Sequence, residues 1–152
     1  VSGVSENGTQ QVNITLTDNE ARPAVTLSTS TSTVAESSAG IVTLTATQSL
    51  AAATDAIISL SLAGTADNAS DYTLSSSTIT IPAGSLSGTA TLTIINDSIL
   101  DNGSETILVD ISSVTGGNGA TDNATQQTIT ISDDDVSAIT ISDVTIAENL
   151  SG

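Results

Sequence analysis

Short apolar alternations recur along almost the whole chain. Val25 and Leu27 share one side of an extended segment, as do Val42, Leu44 and Ala46, and then Ile58, Leu60 and Leu62. Ile79 and Ile81 follow, then Ala90, Leu92 and Ile94, then Ile107, Val109 and Ile111, and finally Ile129 and Ile131. The positions between them are mostly Thr and Ser, which suit the solvated face of a half-buried sheet. Gly, Pro, Asn and Asp punctuate the runs, as in "IPAGSLSG" (Ile81 to Gly88) and "TGGNGATDN" (Thr115 to Asn123), where turns are expected. A period of two throughout predicts an all-β chain with no helix. Seven such runs predict a seven-stranded antiparallel β-sandwich of immunoglobulin-like kind, with strands running up and down between two poles.

The two ends of the chain repeat each other. "NGTQQVNITLTDNE" (Asn7 to Glu20) matches "NATQQTITISDDD" (Asn123 to Asp135) with one residue inserted. "AVTLSTSTSTVAE" (Ala24 to Glu36) matches the shorter "AITISDVTIAE" (Ala138 to Glu148). A self-match at the spacing of a whole domain predicts a tandem array. Residues 1–20 are then the end of one unit, residues 21–136 a complete unit, and residues 137–152 the start of a third. The chain has no apolar run of membrane-spanning length and no leader at its start, so it reads as a mature or internal fragment.

Composition narrows the chemistry. The 152 residues carry 17 acids, one base and a net charge of −16; the base is Arg22. Charge of that sign disfavours nucleic acids and anionic membranes, which need clustered Lys and Arg, and favours small cations. Cys, His, Met, Trp, Phe and Lys are absent, which removes Ser-His and Cys-His catalysis, Schiff-base lysines, zinc sites and thiol chemistry. Tyr72 is the one aromatic and is expected to anchor a loop. Small aliphatics bury little area each, so at about 25 cal/mol per Å² the core has little surplus. A metal is the expected additional source of stability.

The acids supply a candidate. Glu36, Asp71, Asp97, Asp101, Glu105 and the triplet Asp133, Asp134 and Asp135 fall mainly at the ends of apolar runs. Ends of the first, fifth and seventh predicted strands at one pole would bring them together. Calcium takes about six to eight oxygen ligands in flexible geometry, whereas magnesium prefers few protein ligands and keeps its waters. Asp55, Asp67, Asp110 and Asp122 read as ordinary turn residues. Thr-x-Thr ladders such as "TATLT" read as ordinary outward β chemistry rather than an ice-binding face.

The segment "GTADNASDYTLSSSTITIPAGSLSGTATLTIINDSILDNGSETILVDI", with "TITISDDD" after it, resembles the Calx-β domain over about Ala24 to Asp135. The resemblance implies a seven-stranded sandwich that binds calcium at one end, near the junction with the next domain. It implies Glu36 as the acid after the first strand and Asp71 as the Asp of the "DY" motif. It further implies Asn96 and Asp97 at the usual paired aspartates, Asp101 and Glu105 at the following acidic positions, and Asp133 to Asp135 as the terminal triplet. Asn96 stands where the family usually has Asp, and "DNGSE" is one residue longer than the usual "EGDE". Asp18, Glu20 and Glu148 are the matching ligands of the neighbouring units. "DSI" at Asp97 to Ile99 resembles a short bacterial O-glycosylation motif, which makes Ser98 a candidate glycan site.

The expected function is therefore non-enzymatic. Adjacent units of the same chain and calcium ions are the expected partners, and the expected setting is the extracellular surface, in a long bacterial adhesin resembling those of gliding motility. Calcium at each junction is expected to stiffen the hinge around Val136 and Ser137. The alternative is a calcium-sensing regulatory module that switches an attached domain. A glycosidase built on paired carboxylates lacks the aromatic platforms that sugars need. Asp134→Ala is expected to abolish most calcium-dependent stabilisation, and Asp55→Ala to leave it intact.

Overall fold

The computed structural model describes residue 8 and residues 11–17, 19–101, 103–137, 139–141 and 143. Among the described residues, ten strands form two five-stranded sheets. They are β1 (Ala24–Thr29), β2 (Thr33–Ala35), β3 (Ile41–Gln48), β4 (Ala56–Gly64), β5 (Tyr72–Leu74), β6 (Thr78–Ile81), β7 (Ser87–Ile94), β8 (Glu105–Gly116), β9 (Thr121–Asp122) and β10 (Gln127–Ser132). One sheet has the order β5-β7-β3-β1-β9 and the other β2-β10-β8-β4-β6. All seven predicted runs are strands, and the additional three, β2, β5 and β9, are two or three residues long.

The sandwich departs from the expected up-and-down arrangement. The first apolar run divides: β1 pairs antiparallel with β3, and β2 crosses to the other sheet to pair parallel with β10. β9 likewise runs parallel to β1. A single turn of 3₁₀ helix, Glu36–Ser38, follows β2 where no helix was expected. The chain reverses there within "VAESSAG", with Ala39 in the left-handed region at φ 42° and its N–H donating to Glu36 O at 2.8 Å.

Alternation sets the core. The inward residues Val25, Val42, Leu44, Ile58, Ile79, Ile81, Leu92, Ile107, Val109 and Ile129 are completely buried. Tyr72, at the start of β5, is buried in the same cluster. Where the two sheets meet at an edge there is no room for a side chain: a Cβ at Gly88 would lie 2.2 Å from Thr80 O. Leu44 sits between the sheets with no exposure. Leu44→Ala is expected to cost about 2–5 kcal/mol through lost burial and the cavity left behind, measured by denaturant unfolding in the presence of a chelator.

The strand directions define two poles. At one lie the ends of β2, β7 and β10 and the start of β8. At the other lie the start of β1, the β3–β4 connection and the β8–β9 turn.

Candidate metal centre

The first pole gathers most of the predicted ligands. The 3₁₀ turn after β2 points Glu36 inward, where it is only 5% exposed. The connection leaving β7 crosses above it, and the Asp97 N–H donates to Glu36 Oε1 at 2.9 Å. Beyond β10 the extended chain brings Asp135 to the same place. The carboxylate oxygens of Glu36, Asp97 and Asp135 lie within 4.8 Å of one another.

A second group forms beside it. The β4–β5 connection is laced to the β7–β8 loop and the start of β8: the Ile95 N–H donates to Asp71 O at 2.9 Å, and the Thr65 N–H to Thr106 O at 2.9 Å. Gly64, at φ +122°, lets the chain pass against Thr106 O, which a Cβ would approach to 2.0 Å. This lacing sets Asp71 beside Asp101 and Glu105, whose carboxylate oxygens again lie within 4.8 Å of one another. The Asp67 N–H donates to Asp71 Oδ2 and orients that carboxylate.

The charges are felt between the groups. The Asp97 N–H bond favours ionised Glu36, but burial and the charges of Asp97, Asp133 and Asp135 outweigh it and push Glu36 above its usual range. Burial raises Asp135, as do the charges of Asp133, Asp134 and Asp97. Asp101 is raised by burial and by acids of both groups, Asp71, Asp133, Asp97 and Asp135. Glu105 is pushed up to about 7 by burial, by a side-chain hydrogen bond with Asp71 and by the charges of Asp71, Asp101 and Asp67. An opposite charge within a few ångströms would reverse all of these shifts. The only basic side chain, Arg22, stands at the far pole.

Two features fit this pole to a hard cation. Asp135 Oδ2 is buried with no hydrogen-bond partner, a costly state for a polar atom unless something else binds it. Oxygens bound to calcium at 2.3–2.6 Å lie at most about 5 Å apart, and one carboxylate oxygen from each member of either group lies within that reach of the others. All the donors are oxygens, which suits calcium rather than zinc.

The remaining predicted residues sit elsewhere. Asp134 turns away from both groups, exposed, and its Oδ1 accepts the Ser37 N–H at 2.9 Å, which pins the 3₁₀ turn. Asp133 Oδ1 accepts the Asp135 N–H at 2.8 Å and so holds the chain that presents Asp135. Asn96 is exposed in the connection leaving β7, next to Asp97. Ser98 is exposed in a turn closed by the Ile99 N–H on Asp97 Oδ1 at 2.6 Å. Glu20 lies at the far pole, in a cleft with Arg22. Asp18 and Glu148 fall outside the described residues. Asp55 and Asp122 hold loops, their Oδ1 atoms accepting the Ala83 and Ala124 N–H groups, each at 2.8 Å. Asp67 lies in the β4–β5 connection, as expected of a turn residue, and its charge also acts on Glu105.

This arrangement of strands is shared with known domains. Residues 18–135 match the Calx-beta domain. The chain belongs to the Calx-beta family. Two solved structures show the fold of this Calx-beta chain at low identity. One is the crystal structure of CBD12 from CALX1.2, at 18% identity and a TM-score of 0.59 over 74% of this chain and 45% of that one. The other is the apo-form Calx CBD1 domain, at 18% identity and a TM-score of 0.56 over 73% of this chain and 98% of that one. No curated protein matches this Calx-beta chain.

Proposed function

We propose that this chain is a calcium-binding spacer unit of a long extracellular array, in which the ion orders the acidic pole and stiffens the joint to the next unit. The observation that carries the reading is Asp135 Oδ2, buried without a partner beside Glu36 and Asp97, in a chain whose one base is at the opposite pole. Glu36, Asp97 and Asp135 would hold one ion, and Asp71, Asp101 and Glu105 a second. A solved relative titled the calcium binding domain CBD12 of CALX1.1 has the same fold, with a TM-score of 0.58 at 18% identity. Without the ion, the carboxylates repel one another across a loop cluster that has no internal counter-charge. With it, the loops from β2, β7 and β10 are tied to one centre, and binding free energy adds to folding free energy.

Exposure supports the tandem arrangement. Ile14 and Leu16 match Ile129 and Ile131 in the repeated sequence, yet they are 81% and 94% exposed while their counterparts are 0% and 3% exposed. Ile139 and Ile141, matching Val25 and Leu27, are exposed in the same way. Alternating aliphatics of this kind suit the cores of neighbouring units. An adhesin of the gliding-motility type is the setting in which such a spacer would serve, and its distal ligand would be bound by other domains.

Thermal melting tests the reading. Free calcium at a hundred times Kd stabilises by about 2.7 kcal/mol, which for a domain of this size raises Tm by roughly 10 °C relative to excess chelator. An unchanged Tm would count decisively against the site. Sub-micromolar affinity with a large rearrangement of the domain would instead favour a regulatory calcium sensor.

A further inference from the structure

The chain enters the unit at one pole and leaves it at the other, and its first and last segments lie side by side between them. β1 runs parallel to β9, with the Thr121 N–H donating to Pro23 O at 2.9 Å and the Asn123 N–H to Val25 O at 2.8 Å. Both segments then cross to the other sheet, where β2 runs parallel to β10. There the Thr130 N–H donates to Ser32 O at 2.9 Å. Tension along an array pulls β1 back toward its entry and β10 forward toward its exit. Ladder bonds reach across from strand to strand, so parallel neighbours pulled in opposite directions load them all together rather than one at a time.

The same two segments meet again where both end. Glu36 follows β2 directly, and Asp135 lies shortly beyond the end of β10. One carboxylate oxygen of each lies within 4.8 Å of the other, as does one of Asp97. Beside them Asp134 Oδ1 accepts the Ser37 N–H at 2.9 Å, a bond between these segments that needs no ion. Residues 24–36 are two strands and a short link, extended backbone with little slack. Force arriving at the exit therefore reaches Asp135 and Asp134 before it reaches β10. From there it crosses to Glu36 and Ser37 and returns to the entry along β2 and β1. β3 to β8, which hold most of the core, lie outside that path.

Resting on the spacer reading, we infer that the acidic pole is a clasp that carries tension through the unit. Glu36 on the entering segment and Asp135 on the leaving one, with an ion held between them, join the two ends of the unit directly. Asp97 braces the pair, its N–H donating to Glu36 Oε1. In calcium the force passes through the clasp and the taut β1–β2 segment, and the sheets behind are shielded. Without the ion it falls on the Asp134 bond and the ladder bonds of β10. The clasp opens in the step that lets the unit extend, so the stabilisation by calcium appears in full as slower unfolding under end-to-end force. An equal effect of calcium in every direction of pull is the contrasting behaviour.

The absence of cysteine allows handles for optical tweezers to be attached to the full chain through chosen pairs of substitutions. Ala21→Cys with Ser137→Cys, both at exposed positions, pulls end to end across the clasp. Ala21→Cys with Leu86→Cys pulls at the far pole alone, because Leu86 is exposed in the β6–β7 connection there. Each pair is first shown to keep the calcium-dependent rise in Tm, with Ala83→Cys in the same connection replacing Leu86→Cys if it does not. At one constant force, calcium at a hundred times Kd is expected to lengthen the folded lifetime about a hundredfold end to end and less than about tenfold at the far pole. Asp135→Asn is expected to remove most of the end-to-end gain. A gain of the same size in both geometries overturns the clasp and leaves the metal centre standing. So does an end-to-end lifetime that calcium leaves unchanged while Tm still rises, or a gain that persists in full in Asp135→Asn. Loss of the Tm rise in the unsubstituted chain overturns the metal centre and this inference together.

Discussion

Asp135→Asn is expected to raise the melting temperature in chelator and to remove most of the rise that calcium produces. In the metal-free fold Asp135 places a partly buried carboxylate beside Glu36 and Asp97, and one of its oxygens has no partner. Removing the charge relieves repulsion among acids that no basic side chain approaches, so the metal-free domain gains. The amide keeps the shape and one carbonyl oxygen but loses the charge that a divalent cation needs, so the ion's contribution falls. A Tm gain of a few degrees in chelator, with a loss of most of the roughly 10 °C calcium response, is the expected scale. Isothermal titration calorimetry and melting of the same preparations check both halves. Asp134→Asn is the informative companion. Its carboxylate caps the Ser37 N–H outside both groups, so it is expected to lower stability modestly with or without calcium and to leave most of the calcium response in place. That outcome differs from the sequence-based expectation that Asp134→Ala abolishes most of the calcium-dependent stabilisation. A calcium response that survives Asp135→Asn and disappears in Asp134→Asn would reverse the structural assignment.

The second large effect is on pH. Glu105, with an ordinary value of 4.5, is held at about 7 in the fold, and Glu36, Asp101 and Asp135 are raised as well. A carboxyl group whose folded-state pKa lies above its unfolded value binds its proton more tightly when folded. It therefore stabilises the fold at acid pH, and that contribution is lost as pH rises through the folded pKa. The metal-free domain is expected to lose several degrees of Tm between about pH 4.5 and 7. Many acidic proteins with paired carboxylates behave in the opposite way over this range. Calcium binds the deprotonated groups, so its affinity rises with pH, and the gap between melting curves in calcium and in chelator widens toward neutral pH. Paired scans at intervals of pH measure this directly. A metal-free Tm that climbs from pH 5 to 7 would show that the acids are not crowded as described. Glu105→Gln should flatten the metal-free trend most.

Much of this protein is legible in one dimension. Period-two alternation of Val, Ile and Leu against Thr and Ser marks all seven long strands, because a pleated strand between water and a core admits no other pattern. The near absence of bases, together with acids at strand ends, marks one pole as a place for cations. The triplet also contained a signal for its own division. Ile129 and Ile131 face inward, so continued extension sends Asp133 and Asp135 one way and Asp134 the other, and the structure shows that separation.

Other features required the fold in three dimensions. β2, β5 and β9 are too short to show any period, and their pairing depends on a neighbouring strand offering an open edge. The sheet switch between β1 and β2 follows from closing the sandwich and has no local mark. Glu36, Asp97 and Asp135 are far apart in sequence and become neighbours only because β2, β7 and β10 end at the same pole. Glu20, expected from the sequence to be a metal ligand of the preceding unit, lies in a cleft with Arg22 and Leu50. Composition and alternation determined a β-sandwich suited to cations, since burial and charge act on each residue type wherever it lies. Only tertiary structure decided which carboxylates come together, because that depends on distances between segments that the chain's order leaves free.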